Sequence, residues 1–135
     1  MSRVAIFIPS YNAARTLPGV FERISEELWG AIENVFVIND GSQDDTDAVV
    51  ATLARDRPKI RLVSRQPNRG YGTVVREGLR RCVEETEAEY IVSLHADGQY
   101  PPESVLPFVA HMSERGVDVL QGSRQIGRAS CRERV

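Results

Sequence analysis

Short apolar runs recur along the chain, and each is followed by a polar loop. Runs of this kind are typical of strands buried on both faces of a parallel sheet. Segments with helical spacing of apolar residues separate them, as in βαβ units. We therefore predict an α/β fold with three layers, α/β/α, around a mainly parallel sheet. The predicted strands are residues 4–8, 35–38, 60–63, 90–94 and 117–120; helices are predicted over 17–29 and 104–115 and after the turns at 42–45 and 68–73.

Composition narrows the class of protein. The 135 residues fit one domain, and a net charge of −2 gives no basic field for nucleic acid. Cys82 and Cys131 have neither metal-ligand nor disulfide-framework spacing, so we expect a reducing compartment. No apolar run is long enough for a signal peptide or a membrane span.

Residues 125–135 break the alternation of strand and helix. They carry three arginines without apolar periodicity, and residues 126–135 resemble the translated adaptor that follows a cut reading frame. We therefore expect one domain over residues 1–124, truncated near Arg124, and an unstructured, non-native tail over 125–135. A sheet cut short leaves an uncovered strand edge, so we also expect self-association or poor solubility.

An acid, a glycine and an amide follow the fourth predicted strand. Asp97 and Gln99 stand two residues apart there. Hard cations such as Mg²⁺ or Mn²⁺ take oxygen ligands and complete their shell with phosphates and water. The pattern indicates a metal site that a diphosphate completes, and the alternative is an ordinary turn at Asp97-Gly98.

Two other strand ends carry candidate binding residues. Asp40 could accept hydrogen bonds from a base or ribose, and the alternative is that its segment is a turn that caps the next helix. Both can hold together, because Ser42 can cap the helix while Asp40 points into the crevice. Tyr11 either lies against a nucleobase or packs beside the sheet. Because parallel strands end at one edge, Tyr11, Asp40, Asp97 and Arg124 are expected to lie together there.

A glycine pair at residues 70 and 72 begins a dinucleotide-binding pattern. Val75 stands where the third glycine would be, so the fingerprint fails. The glycines instead predict close backbone approach at a helix start. The helix that follows is predicted to bury Val74, Val75, Leu79 and Val83.

Five strings, in this order over residues 4–124, resemble the inverting glycosyltransferases of family 2, which have the GT-A fold with its Rossmann-like nucleotide-binding half. The similarity is greatest to the polyprenyl-phosphate sugar synthases of that family. The strings are Ile8-Pro9-Ser10-Tyr11-Asn12, Val37-Ile38-Asn39-Asp40-Gly41-Ser42 with Asp44 and Thr46, Asn68-Arg69-Gly70-Tyr71-Gly72, Ala96-Asp97-Gly98-Gln99-Tyr100-Pro101-Pro102-Glu103, and Gly122-Ser123-Arg124.

The resemblance implies a role for each matched residue. The chain departs from the family at His95-Ala96-Asp97, where Asp-x-Asp is usual, and at Asn39-Asp40, where two acids are usual. By similarity, Pro9, Tyr11, Ile38 and Asp40 would line the base and ribose, His95 and Ala96 would touch the nucleotide, Asp97 and Gln99 would bind Mg²⁺ or Mn²⁺, and Arg124 would reach the diphosphate or the donor sugar.

The resemblance also implies an activity. A sugar would pass from a UDP- or GDP-sugar to polyprenyl phosphate, or to a glycan, with inversion at C1 and with Asp97 and Arg124 in catalysis. We expect a cytoplasmic location, or the cytoplasmic face of a membrane reached through a missing C-terminal part, and a homo-oligomer. One alternative is a non-catalytic nucleotide-diphosphate-binding fragment. The other is a sugar-nucleotide pyrophosphorylase, which the loop at residues 10–14 disfavours because it is not Gly-rich.

Overall fold

The computed structural model describes residues 3–122 and 131–134. Within them, the strands are β1 Val4–Ser10, β2 Ile32–Asp40, β3 Ile60–Arg65, β4 Tyr90–Ser93, β5 Val119–Gly122 and β6 Cys131–Arg134; the helices are α1 Leu17–Glu22, α2 Glu26–Ala31, α3 Thr46–Asp56, α4 Tyr71–Glu85 and α5 Val105–Arg115, with a 3₁₀ turn at Pro102–Ser104. Four of the strands form a parallel sheet in the order β3-β2-β1-β4. A separate antiparallel pair joins β5 to β6.

Helices cover both faces of the parallel sheet. Along β1, Ile6 and Ile8 point into a core shared with α1, α2, α3 and α5. Ala5 and Phe7 point to the opposite face, which α4 covers. This alternation explains why the β1 run is apolar at every position from Val4 to Ile8. The predicted three-layer α/β fold with a mainly parallel sheet is confirmed.

The segment predicted as one helix over residues 17–29 forms two. α1 ends at Glu22, and α2 begins after Ser25, whose hydroxyl accepts a hydrogen bond from the Leu28 amide at 3.1 Å. Ser25 is a favourable N-cap because it satisfies an amide at the new helix start. The apolar spacing continues across the break, so periodicity alone did not reveal it.

Two of the residues predicted to be buried on α4 are exposed. Leu79 is 45% exposed and Val83 is 67% exposed, whereas Val74, Gly78 and Cys82 face the sheet. A Cβ added to Gly78 would lie only 2.3 Å from the Phe7 ring, so the missing side chain lets α4 approach β1 closely. That close approach selects the 74-78-82 face of the helix.

The fifth predicted strand forms as β5 but does not join the parallel sheet. It pairs with Cys131–Arg134, from Val119 opposite Arg134 to Gly122 opposite Cys131. Residues 131–134, which belong to the tail that was expected to be unstructured, have backbone groups that complete this antiparallel ladder. The domain boundary near Arg124 and the non-native origin of the tail stay predictions. No helix in the described part of the chain is long and apolar enough to cross a membrane.

Candidate functional site

The carboxyl ends of β1, β2 and β4 meet at one edge of the sheet. β1 is hydrogen-bonded to both neighbours, with Ser10 opposite Asn39 and Phe7 opposite Ser93. The loops that begin at residues 11, 41 and 94 therefore leave the sheet side by side. This edge gathers Tyr11, Asp40 and Asp97 as predicted, whereas Arg124 lies outside the described residues.

The loop after β1 is tied to the start of α3. The backbone N–H of Asn12 donates a hydrogen bond to the Ser42 hydroxyl at 2.8 Å, and the backbone N–H of Ala13 donates one to the Thr46 hydroxyl at 3.0 Å. The Asp44 carboxylate accepts from the Ala14 amide, and its hydrogen bond with the Thr46 hydroxyl holds the pKa of Asp44 below its ordinary value. These contacts place Tyr11, 50% exposed, at the edge of the sheet.

Asp40 is buried and fastens a loop. Its carboxylate accepts hydrogen bonds from the backbone amides of Arg69 and Gly70 at 2.7 and 2.9 Å, and its carbonyl accepts from the Asn68 side chain. Gly70 has a φ of +93°, a conformation that suits glycine. Asp40 therefore holds the turn that begins α4, a role that neither interpretation of its sequence position included. Its predicted contact with base or ribose stays a prediction.

Asn39, where the family usually has an acid, joins three elements. Its side-chain nitrogen donates to the Asp47 carboxylate at 2.6 Å, and its oxygen accepts from the Ser42 amide and hydroxyl. The other Asp47 oxygen accepts from Ser64 on β3. A carboxylate at position 39 could not donate to Asp47 and would add a like charge beside it. The Asn39 side chain, which has both a donor and an acceptor, therefore fits the hydrogen-bond partners at this position.

Two predicted nucleotide contacts lie on the strands themselves. Ile38 is fully buried in the core beneath α4, so its side chain does not line the edge and only its main chain is available there. Pro9 is half-buried one residue before the end of β1. Ala96 is 8% exposed and packs into the opposite core.

The predicted metal loop is a turn with an exposed carboxylate. Asp97 is exposed, and its Oδ1 accepts a hydrogen bond from the backbone N–H of Gln99 at 3.0 Å. Gly98 has a φ of +78°, as a turn residue of this kind requires. The turn interpretation of Asp97-Gly98 is therefore correct for the backbone, and it leaves the metal interpretation open because the carboxylate faces solvent.

Three residues at this loop were missed by the sequence argument. Arg23, at the end of α1, donates to the Gly98 carbonyl at 3.0 Å and pairs with both oxygens of Glu103. The Tyr71 hydroxyl lies 3.2 Å from Nε2 of His95, and the rings of His95 and Tyr100 are 4.2 Å apart. Both tyrosines lie within the matched strings, which was their one signal in the sequence, and Arg23 had none.

An apolar cavity of about 500 Å³ adjoins the same loop. It lies beside β4, between α4 and α5, and His95, Gln99 and Tyr100 form its wall nearest the sheet edge. Leu79 and Phe108 line it further from that edge.

The donor atoms at the loop fit a cation that arrives with a ligand. In the described part of the chain, no group of three or more His, Cys, Asp or Glu side chains could hold a metal ion. Asp97 and Gln99 offer one carboxylate and one amide oxygen, which are hard donors but too few for a Mg²⁺ or Mn²⁺ shell. Diphosphate oxygens are the kind of ligand that would complete it.

Known proteins share this sequence pattern and fold. A dolichol-phosphate mannosyltransferase of Pyrococcus furiosus is 30% identical over 124 residues, which are 92% of this chain and 34% of that protein. An undecaprenyl-phosphate 4-deoxy-4-formamido-L-arabinose transferase of Yersinia pestis is 29% identical over 122 residues, 89% of this chain and 36% of that protein. This chain thus spans about a third of the length of these relatives.

The fold matches that of a solved glycosyltransferase. A mannosyltransferase of Pyrobaculum calidifontis, solved in complex with GDP-Man and Mn²⁺, superposes with a TM-score of 0.71 over 85% of this chain and 33% of that one, at 23% identity. At this identity the likeness concerns the fold alone. Residues 5–134 match the family model of glycosyl transferase family 2, and the chain belongs to that family.

Proposed function

We propose that this chain binds a nucleotide-diphosphate sugar and serves in transfer of the sugar to polyprenyl phosphate, with inversion at C1. The observation that carries the proposal is the edge where β1, β2 and β4 end together beside the exposed Asp97 carboxylate. In open α/β sheets, ligands bind at the carboxyl ends of the strands. The names of the two relatives support the acceptor, since both act on a polyprenyl phosphate.

The donor would lie along this edge. Tyr11 would pack against the base, with Pro9 and the main chain of Ile38 beside it, and Asp40 would hold the ribose side of the pocket. His95 and Ala96 would border the diphosphate. The exposure of Tyr11 and the hydrogen bonds that fix its loop support this placement, because an aromatic ring on a rigid loop can stack without further ordering.

Asp97 and Gln99 would hold Mg²⁺ or Mn²⁺ together with the diphosphate. When bound, the ion would supply positive charge against the negative charge that develops on the leaving diphosphate. The oxygen donors of the exposed loop support this assignment, as does the Mn²⁺ bound to the Pyrobaculum protein. Arg124 would add a second positive charge.

The reaction would be a single displacement. An oxygen of the acceptor phosphate forms a bond to C1 as the bond from C1 to the diphosphate oxygen breaks, and the bonding pair leaves on the nucleoside diphosphate. Attack from the face opposite the leaving group inverts C1. A phosphate acceptor is already an anion, so this step needs no general base from the chain.

Calorimetry with Asp97→Ala tests the metal site. We expect GDP or UDP to bind wild-type protein more tightly with Mn²⁺ than without it, and the variant to lose that gain. Asp56→Ala is the matched control, because Asp56 is exposed at the end of α3, near the amino end of β3 and thus away from the carboxyl ends of the strands. Equal nucleotide affinity with and without Mn²⁺ in the wild type would overturn the metal assignment.

A binding module without turnover is the second candidate, because the chain spans about a third of its relatives' length. The assay supplies GDP- or UDP-sugar with polyprenyl phosphate and follows both release of nucleoside diphosphate and the anomeric proton of the product. Transfer with inverted configuration supports the enzyme. Donor binding without transfer supports the binding module, and retained configuration contradicts the proposed displacement.

A further inference from the structure

We infer that Arg23 is a positioning residue for the Asp97 carboxylate, acting through the peptide group between Gly98 and Gln99. The inference rests on the proposed function, since it assigns Arg23 to the loop that would hold the metal and diphosphate. Arg23 lies 75 residues from this loop in sequence and belongs to none of the matched strings.

One peptide group is held at both ends. Its carbonyl, that of Gly98, accepts a hydrogen bond from Nη1 of Arg23 at 3.0 Å. Its N–H, that of Gln99, donates to Oδ1 of Asp97 at 3.0 Å. Because a peptide is planar, the arginine that fixes the carbonyl also fixes the direction of the N–H. A guanidinium on the carbonyl also polarises the peptide and strengthens the hydrogen bond to Asp97.

Glu103 aims the guanidinium. Its two oxygens accept from Nε and Nη2 of Arg23 at 3.1 and 2.9 Å, which leaves Nη1 directed at Gly98. The bidentate pair lowers the pKa of Glu103 below its ordinary value. Lysine cannot reproduce this arrangement, because one ammonium lacks the planar fork that engages a carboxylate and a carbonyl together.

Stability alone does not account for this arrangement. The side chains of Arg23 and Glu103 are 41% and 58% exposed, and ion pairs at such exposure contribute little to folding. The arrangement does limit the orientations open to Asp97 before any ligand arrives. A ligand that coordinates a carboxylate already held in place has less ordering to impose, so its affinity is higher.

The test compares Arg23→Met with wild type by calorimetry, using GDP and UDP with and without Mn²⁺. We expect the gain in affinity from Mn²⁺ to fall roughly tenfold, as when other partners of metal ligands are removed, while metal-free affinity is unchanged. Arg57→Met is the matched control: Arg57 is also 41% exposed and pairs with Glu26, away from the loop. The control should keep the full Mn²⁺ gain.

Exchanging the two charged residues distinguishes a positioning role of Arg23 from its ion pair with Glu103. Arg23→Glu combined with Glu103→Arg restores the pair but places no donor from residue 23 on the Gly98 carbonyl. We expect no recovery of the Mn²⁺ gain, and recovery would overturn the inference. A Mn²⁺ gain in Arg23→Met equal to that of wild type would also overturn it, with the proposed function left standing.

A measurement without metal distinguishes failure of the Arg23 inference from failure of the proposed metal function. Amide hydrogen exchange at Gln99, followed by NMR, should accelerate in Arg23→Met and not in Arg57→Met. If wild type shows no Mn²⁺ gain but Gln99 exchange depends on Arg23, the proposed metal function fails while the positioning contact is upheld. Unchanged exchange at Gln99 would overturn the positioning role itself.

Discussion

Single polar side chains at the sheet edge fasten the loops that leave it. Asn39 joins β2 to α3, Asp44 joins the loop after β1 to the start of α3, and Asp40 holds the turn before α4. The contacts of Asp44 and Asp40 link residues 30 and 29 positions apart in sequence. These contacts restrain the loops of the edge without any ligand, which lowers the ordering that binding requires.

Removal of the Asp40 carboxylate should loosen the turn before α4. In Asp40→Ala, the amides of Arg69 and Gly70 lose their acceptor, and we expect a loss of about 2 kcal/mol in the free energy of unfolding, because charge-assisted hydrogen bonds are among the stronger ones. Asp40→Asn retains one acceptor oxygen and should lose less. Urea unfolding measures both.

Asp118→Ala is the control for this pair, since Asp118 is exposed in the loop before β5 and its removal should change stability by at most about 0.5 kcal/mol. Equal stability of Asp40→Ala and Asp118→Ala would show that the two hydrogen bonds to Asp40 do not hold the turn.

The sequence pattern singled out some residues of the candidate site and not others, for a physical reason. Asp97 and Gln99 were found because a polar string follows an apolar run, which is a local pattern. Arg23 and Tyr71 reach the loop across 75 and 24 residues, to Gly98 and His95, and local spacing carries no information about such contacts. Whether Asp97 and Gln99 bind a metal stays a prediction.

At the scale of elements, apolar runs and periodicity predicted β1 to β5 and the helical segments, but neither β6 nor how each element packs. The 17–29 pattern hid the break at Ser25, and the fifth run did not reveal that β5 pairs with β6. On α4, four apolar residues predicted one buried face, but the face that packs on the sheet is the one that contains Gly78. A glycine offers no hydrophobic signal, so its effect on docking appears only in three dimensions.

Gly78→Ala should destabilise the packing of α4 on β1. The added methyl group would lie 2.3 Å from Phe7 Cδ2, so the helix or the ring must move, and we expect a loss of about 1–3 kcal/mol despite the better helix propensity of alanine. Gly72→Ala on the same helix meets no atom within 4 Å and should be neutral or stabilising. Thermal unfolding compares the two, and a Gly78→Ala variant as stable as Gly72→Ala would contradict the close approach.

The two edge strands of the parallel sheet, β3 and β4, differ in the charge that would oppose pairing with another chain. β3 carries Arg61 and Arg65, whose charges oppose the approach of a further strand. β4, with the sequence Tyr-Ile-Val-Ser, carries no charge, and within the described residues it pairs only with β1. Leu79 and Val83 of α4 add exposed apolar surface on the same helix that lines the cavity beside β4.

This asymmetry predicts that the chain self-associates through the β4 side. Ile91, 36% exposed, is the most exposed of the three apolar residues of β4, and a lysine there would oppose pairing with another strand. We expect Ile91→Lys to weaken association roughly tenfold, about 1.4 kcal/mol, in sedimentation velocity over a range of concentrations. Ala51→Lys, at an exposed position of α3, adds the same charge away from this edge and should associate like the wild type. If both lysine variants are weakened equally, net charge rather than the β4 edge controls association; if neither is weakened, the chain associates through another surface or stays monomeric.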